Sequence, residues 1–384
     1  MFEAGSVVRF VNAYFGEFKA PKHANALYTL GAVLVLALLL QASSGLALAV
    51  HYVPIASTAF WNVNRIMRRF RFGWLVKAAH ANGASLMFAA LYAHVFRGVY
   101  YRAYAPPRRA VWLVGSAMFL AVCAVGFLGG VLSWGQVSYW AAVVAAGFVE
   151  AVPVVGKPLK LVVMGGYAVG GATLRRFFVF HCVLPFVVIA MACLHVVLVH
   201  RKGQLSPIAN RLPTRMAFSN VWPALASKDA LAVALYLLAL AGLCLLAPDL
   251  LANSANYAPA DYLVTPKNVK PEWYFWPFFA VLKAFESKLA GFVVALALNA
   301  SLFVLPYAHA DLRGVATVRV YRRAAVTFAA SFGALAVLGG RQPSSLSSFM
   351  SKVCVAWYVG FVAWPLVTRC VSRLVNELEV GAFA

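Results

Sequence analysis

Eight stretches without a single Asp, Glu, Lys or Arg run through this chain of 384 residues, within 23–64, 78–96, 110–149, 177–200, 230–248, 289–310, 324–340 and 353–368. A helix needs about 20 apolar residues to cross a bilayer core, where no water satisfies an open backbone. The last two stretches are short, at 17 and 16 residues, but the flanking Arg322, Arg323, Arg341, Lys352 and Arg369 can extend their cations to the interface. The third is too long for one span. It is expected to end near Leu132, where Gly129, Gly130 and Gly135 interrupt it and Trp134, Tyr139 and Trp140 supply interfacial aromatics. The expected fold is an all-α integral membrane protein with eight transmembrane helices and no strand pattern. The spans group into an N-terminal region, 1–215 (near 27–51, 75–103, 110–133 and 173–200), and a C-terminal region, 216–384 (near 229–248, 288–306, 322–340 and 349–368).

With 63% hydrophobic and 11% charged residues, a soluble globular chain is excluded. The 33 Lys+Arg against 11 Asp+Glu leave a formal charge of +22, which in so apolar a chain belongs to loops and membrane surfaces. Nucleic-acid binding is not expected, since it needs basic residues gathered on one solvated face. Eight spans put both termini on one side. With the N-terminus inside, 18 basic residues fall inside and 15 outside, a weak positive-inside bias. The segment up to His23 carries no signal or transit pattern and is expected to remain uncleaved. Cys123, Cys182, Cys193, Cys244, Cys354 and Cys370 lack metal-type spacing and are expected to be small buried hydrophobes. Between the spans, 134–172 holds apolar pieces too short to cross, and 249–288 holds KPEWYFWPFFAVLKAF, an aromatic segment able to form a short surface helix behind its proline.

Within the apolar runs the histidines repeat. His80 and His94 are 14 residues apart in the second span, and His181 and His195 are 14 apart in the fourth. Fourteen residues at about 100° each come within about 40° of four full turns, so each pair shares a helix face with about 21 Å between its members. If the two helices face each other, two cross-helix imidazole pairs form at two depths, the arrangement of two stacked six-coordinate haems. Ionisable residues are costly in a membrane and mark function. Gly31 and Gly45, and Gly115 and Gly129, repeat the same separation in the first and third spans, where bare α-carbons would admit a flat macrocycle. Close helix packing is the simpler use of such glycines. Lys77, Arg97 and Arg176 stand near span ends, where haem propionates need cations; ordinary interfacial anchoring accounts for them as well. Glu272, between Pro271 and the aromatic Trp273 and Tyr274, can take a proton from an oxidised hydroxyl. His200 closes the fourth span while Lys228 and Asp229 open the fifth, a His–carboxylate combination suited to a quinone carbonyl pair.

The blocks HANGASLMFAALYAHVFRGVYY (80–101), VLSWGQVSYW (131–140), ATLRRFFVFHCVLPF (172–186) and TPKNVKPEWYF (265–275), together with both histidine pairs, give the chain its likeness. From about residue 28 to 367 it resembles the cytochrome b family of respiratory cytochrome bc1 complexes, in a divergent mitochondrial form. The resemblance implies a four-helix bundle around two b haems, with His80 and His181 holding the low-potential haem and His94 and His195 the high-potential one. It places Glu272, with Pro271, Tyr274, Phe127 and Ala141, at an outer quinol-oxidation site, and His200, Asp229 and Lys228 at an inner quinone-reduction site. It implies the Q cycle of a ubiquinol:cytochrome c oxidoreductase, active only in a complex with a Rieske iron-sulfur protein, cytochrome c1 and other subunits, and a homodimeric complex. The membrane it implies is the inner mitochondrial one, with a bacterial inner membrane as the alternative.

Several positions depart from the family pattern. Ser133 replaces a proline, Gly130 a tyrosine, Ala141 a glycine and Phe279 a tyrosine, while Ala32 and Gln204 stand where serines are common and Lys77 where arginine is. The Ala141 methyl is expected to narrow the outer pocket and weaken methoxyacrylate-type inhibitors; full sensitivity in isolated membranes would contradict this. A dihaem membrane subunit of another redox complex shares the bis-His logic but has no reason to hold PEWY or eight spans. A transporter without cofactor explains intramembrane histidines but not their repeat.

Overall fold

In a computed structural model, residues 18–204, 218–267, 269–308 and 315–381 are described. The segment up to residue 17, His309 and the side chain of Cys370 lie outside the described residues.

Twelve α-helices dominate the described residues. They are α1 (Leu30–Ala49), α2 (Ala59–Arg69), α3 (Gly73–Tyr100), α4 (Arg109–Leu132), α5 (Gln136–Glu150), α6 (Gly156–Met164), α7 (Gly171–Lys202), α8 (Ala224–Leu246), α9 (Trp276–Ala284), α10 (Lys288–Ala308), α11 (Val315–Gly340) and α12 (Ser345–Gly381). Seven of them, α1, α4, α7, α8, α10, α11 and α12, are long and apolar enough to cross a membrane. The eighth long helix, α3, has 28 residues but is diluted by His80, Asn82, Ser85 and His94.

The spans carry their apolar side chains outward as well as inward. On α7, Phe180 is 55% exposed and Phe186 62% exposed, with Val179, Val183, Val187 and Leu194 also exposed. Contiguous apolar surface of this kind is stable against lipid and not against water.

The chain divides into two units, one of residues 1–97 and 117–274, the other of 98–116 and 275–384. In the first, α1 packs against α7 and α8. The connection from 134 to 172 folds as α5 and α6, packed on each other, and Trp134, Tyr139, Met164, Leu174 and Phe177 form a buried cluster beside them. α2 was not evident as a separate element in the sequence. It buries Ala59, Asn62 and Ile66 and exposes Trp61, Arg65, Arg68 and Arg69, as an interfacial helix does.

In the second unit, Pro277 starts α9 in the first turn, where its missing N–H costs nothing. α9 then packs against α10, α11 and α12. The expected surface helix is therefore an interior one, with Pro277, Ala280, Val281 and Ala284 buried.

Two other expectations change. Two three-residue strands exist, β1 (Lys19–Pro21) and β2 (Phe218–Asn220), paired antiparallel with Lys19 opposite Asn220; strands this short carry no periodicity to read. Among the cysteines with described side chains, only Cys244 and Cys354 are buried, while Cys123 and Cys182 are half-buried and Cys193 is exposed. In a lipid-facing helix an apolar thiol needs no protein cover.

Candidate functional site

The sequence spacing of the histidines becomes geometry in the first unit. The rings of His80 on α3 and His181 on α7 have centroids 6.1 Å apart with planes at 88°. Those of His94 and His195 are 6.5 Å apart at 62°. Two metal–imidazole bonds of about 2.0 Å on opposite sides of one ion, plus half a ring at each end, need centroids about 6.3 Å apart. Both pairs meet that requirement.

Neighbouring groups fix which nitrogen faces the gap. His181 Nδ1 lies 2.9 Å from the Val125 carbonyl oxygen, which can only accept, so Nδ1 carries the proton and Nε2 keeps its lone pair. At His80, Ser44 Oγ sits 3.0 Å from Nδ1 and donates its own proton to the Leu40 carbonyl at 2.6 Å. Ser44 therefore accepts from His80, and again Nε2 keeps its lone pair. The Nδ1 of His94 is buried without a hydrogen-bond partner among the described residues.

Two of the four repeat glycines lie against the candidate imidazoles. A methyl group on Gly45 would stand 2.9 Å from His80 Cε1, and one on Gly129 would stand 2.5 Å from His181 Cε1, while at Gly31 it would meet nothing within 4 Å. Since the Val125 bond holds the His181 ring, Gly129→Ala is expected to displace that ring rather than be absorbed. The expected result is loss of about half the b-type absorbance of the purified complex, with the protein still in the membrane; unchanged absorbance would show the glycine to be a packing residue. The ring separations of both pairs, and the bare glycines at the His80–His181 pair, therefore fit bis-imidazole haem binding.

Two of the three candidate propionate cations are engaged with aromatics. Arg97 lies over the Tyr28 ring at 3.8 Å and Lys77 over the Tyr257 ring at 5.8 Å, whose hydroxyl donates to Asp249. The Arg176 guanidinium occupies the space beside Gly165 that a side chain there would fill.

At the other candidate site, the PEWY segment is held by its tyrosine. Tyr274 is buried, stacks on Phe88 of α3 at 4.1 Å and 3°, and its carbonyl accepts from the Tyr92 hydroxyl. Glu272 is thereby drawn off the surface position expected for it. Enclosure pushes its carboxyl above the usual carboxylate range. Its Oε1 would be 2.8 Å from a methyl on Gly130. Phe127 packs edge-on to Phe177 at 6.1 Å, and Ala141 and Pro271 are partly buried. In the second unit, Lys283 Nζ lies over Phe279 at 4.7 Å.

The N-terminal arm organises the third group. Phe18 stacks on His200 at 4.2 Å and 8°, its carbonyl accepts from Val221 N at 3.2 Å, and the Ala24 carbonyl accepts from Lys228 Nζ at 2.7 Å. The end of α7, through His200, and the start of α8, through Lys228, are thus tied to one arm. Phe18, Ser44 and Val125 carry no signal in the sequence. Their partners lie far away in the chain, and backbone acceptors carry no residue-type mark.

Helices that span a membrane and paired intramembrane imidazoles at two depths define a polytopic protein built to hold redox centres. The family model described as cytochrome b/b6/petB matches residues 15–203, and that described as cytochrome b(C-terminal)/b6/petD matches 259–359. The cytochrome b of Rickettsia prowazekii is 37% identical over 368 residues, covering 96% of this chain and 92% of the relative. That of the yeast Yarrowia lipolytica is 34% identical over 366 residues, covering 94% of each. A solved structure titled hyperthermophilic respiratory Complex III superposes with a TM-score of 0.88 at 27% identity, covering 95% of this chain and 96% of that one. The chain belongs to the cytochrome b/b6 family, whose members bind haem b.

Proposed function

We propose that this multi-pass membrane chain is the cytochrome b of a respiratory complex III, with two haem b groups held by His80 with His181 and by His94 with His195. When bound, the haems supply a one-electron relay across the membrane. The observation that carries this reading is the pair of ring separations, 6.1 and 6.5 Å, at two depths of the same two helices.

The chain's own residues do the rest. Val125 and Ser44 hold the His181 and His80 rings in the tautomer that presents Nε2. Arg97, Lys77 and Arg176 are the cations for the propionates. Glu272, enclosed beside Gly130 and anchored through Tyr274, accepts a proton from a quinol hydroxyl at the outer site. Its raised proton affinity suits that task. At the inner site, His200 and Asp229 bind and protonate the quinone carbonyls, with Lys228 beside them and Phe18 covering the imidazole. Ubiquinol is the reductant, a Rieske iron-sulfur protein and cytochrome c1 are the partners, and the complex is a homodimer. Relatives from a bacterium and from a yeast support the same role in either a bacterial or an inner mitochondrial membrane.

The test is quinol-dependent reduction of cytochrome c by the isolated complex. Activity that falls with His200→Ala and with Glu272→Gln supports both sites. Activity indifferent to both would leave the chain as an electron conduit with its quinone chemistry elsewhere.

A further inference from the structure

The turn that joins α4 to α5 is strained, and the strain is held by a group of side-chain and backbone hydrogen bonds. Trp134 has a φ of 51° and is 1% exposed. A bulky side chain adopts that left-handed conformation only when its surroundings over-determine it. Asn256 supplies that constraint from far along the chain: its Nδ2 donates to Ser133 Oγ at 3.0 Å, and its Oδ1 accepts from the Ser138 backbone N–H and lies 3.0 Å from the Ser138 hydroxyl. The two serine hydroxyls lie 2.6 Å apart, and they reach the Gly130 carbonyl at 2.7 Å from Ser138 and 3.2 Å from Ser133. Gln136 N to the Ala258 carbonyl at 3.1 Å and Ala260 N to the Trp134 carbonyl at 3.3 Å close the turn.

The two serine hydroxyls converge on the Gly130 carbonyl, and Glu272 rests against that residue's α-carbon. A methyl group there would stand 2.8 Å from Oε1, 3.4 Å from the carboxyl carbon and 3.5 Å from Oε2. The glutamate's own segment is fixed from the opposite side, by Tyr274 on Phe88 and Tyr92.

We propose that Gly130 is a positioning residue for Glu272, seating the carboxylate against the bare end of α4, and that the Ser133–Ser138–Asn256 knot holds that seat in place. The inference rests on the reading of Glu272 as the proton acceptor of quinol oxidation. Ser133 and Gly130, the two departures from the family pattern in this turn, are on this account one device. The hydroxyl that replaces a ring at 133 ties down the carbonyl of the residue that opens space at 130.

The experiment is steady-state quinol oxidation by the assembled complex in isolated membranes, as a double-mutant cycle. Gly130→Ala adds a good helix former inside a helix, and the atom it strikes is the free end of a flexible side chain, so assembly and haem spectrum should persist. The expected result is a fall in kcat/KM of about tenfold, no further fall when the change is made in Glu272→Gln, and a smaller fall in Glu272→Asp, whose carboxylate is one methylene shorter. Ser133→Ala, which loosens the knot without adding atoms, should cost about threefold, again only while Glu272 is present. Equal losses in the wild-type and Glu272→Gln backgrounds, or no loss from either substitution, would overturn the inference and leave Glu272 untouched. A Glu272→Gln complex as active as wild type would instead overturn the reading on which the inference rests.

Discussion

His181→Leu is expected to leave a membrane-inserted chain that has lost one of two haems and nearly all quinol-to-cytochrome c turnover. Leucine fills a similar volume in a span that already carries apolar side chains, so insertion should survive. What disappears is a proposed ligand whose protonation pattern is set by a backbone acceptor, the Val125 carbonyl at 2.9 Å from Nδ1. Loss of a partner one shell further out already costs about 10–100-fold in metal affinity, so loss of the ligand should cost turnover at least roughly 100-fold. His80 would then face a side chain that cannot coordinate, while the other pair, 6.5 Å between ring centroids, keeps both members. The check is the reduced-minus-oxidised spectrum beside turnover. Loss of about half the b-type signal with the remainder intact is the expected pattern, and full retention of the signal would remove His181 from the ligand set.

Glu272→Gln should lower quinol oxidation by about 100-fold, the lower end of what a positioned proton acceptor contributes, because water can take over part of the transfer. The substitution keeps shape and removes only the acceptor charge, so haem content should not change. The sign of the pH effect follows from burial. Enclosure raises the carboxyl above its ordinary range, so the deprotonated form that accepts a proton accumulates only as pH rises past that elevated value. Wild-type activity should therefore climb through an acidic limb displaced upward from the range of a free carboxylate, and the limb should vanish in Glu272→Gln. A limb that persists in the variant would assign it to another group.

Much of this was legible in the chain itself because the membrane imposes a simple grammar. Absence of charge over about 20 residues means a span, and a separation of 14 residues means one face of a helix, so the helices and the four histidines could be read without coordinates. What could not be read were arrangements set by distant partners. Trp134 looks like an interfacial aromatic, yet the structure buries it in a left-handed turn. KPEWYFWPFFAVLKAF has the composition of a surface helix, but Tyr274 locks against Phe88 and Tyr92 and carries Glu272 inward. The β1–β2 ladder behind His200 is three residues long on each side, too short for any periodicity. Local composition states how polar a segment is, and only tertiary contacts decide where that polarity points.

The measurement that bears most directly on the account is the ratio of haem b to this chain in the purified complex. Two haems per chain, with one lost when either pair is broken, is the expected result. A ratio of one or none, or a ratio of two that survives loss of a histidine from each pair, would contradict it.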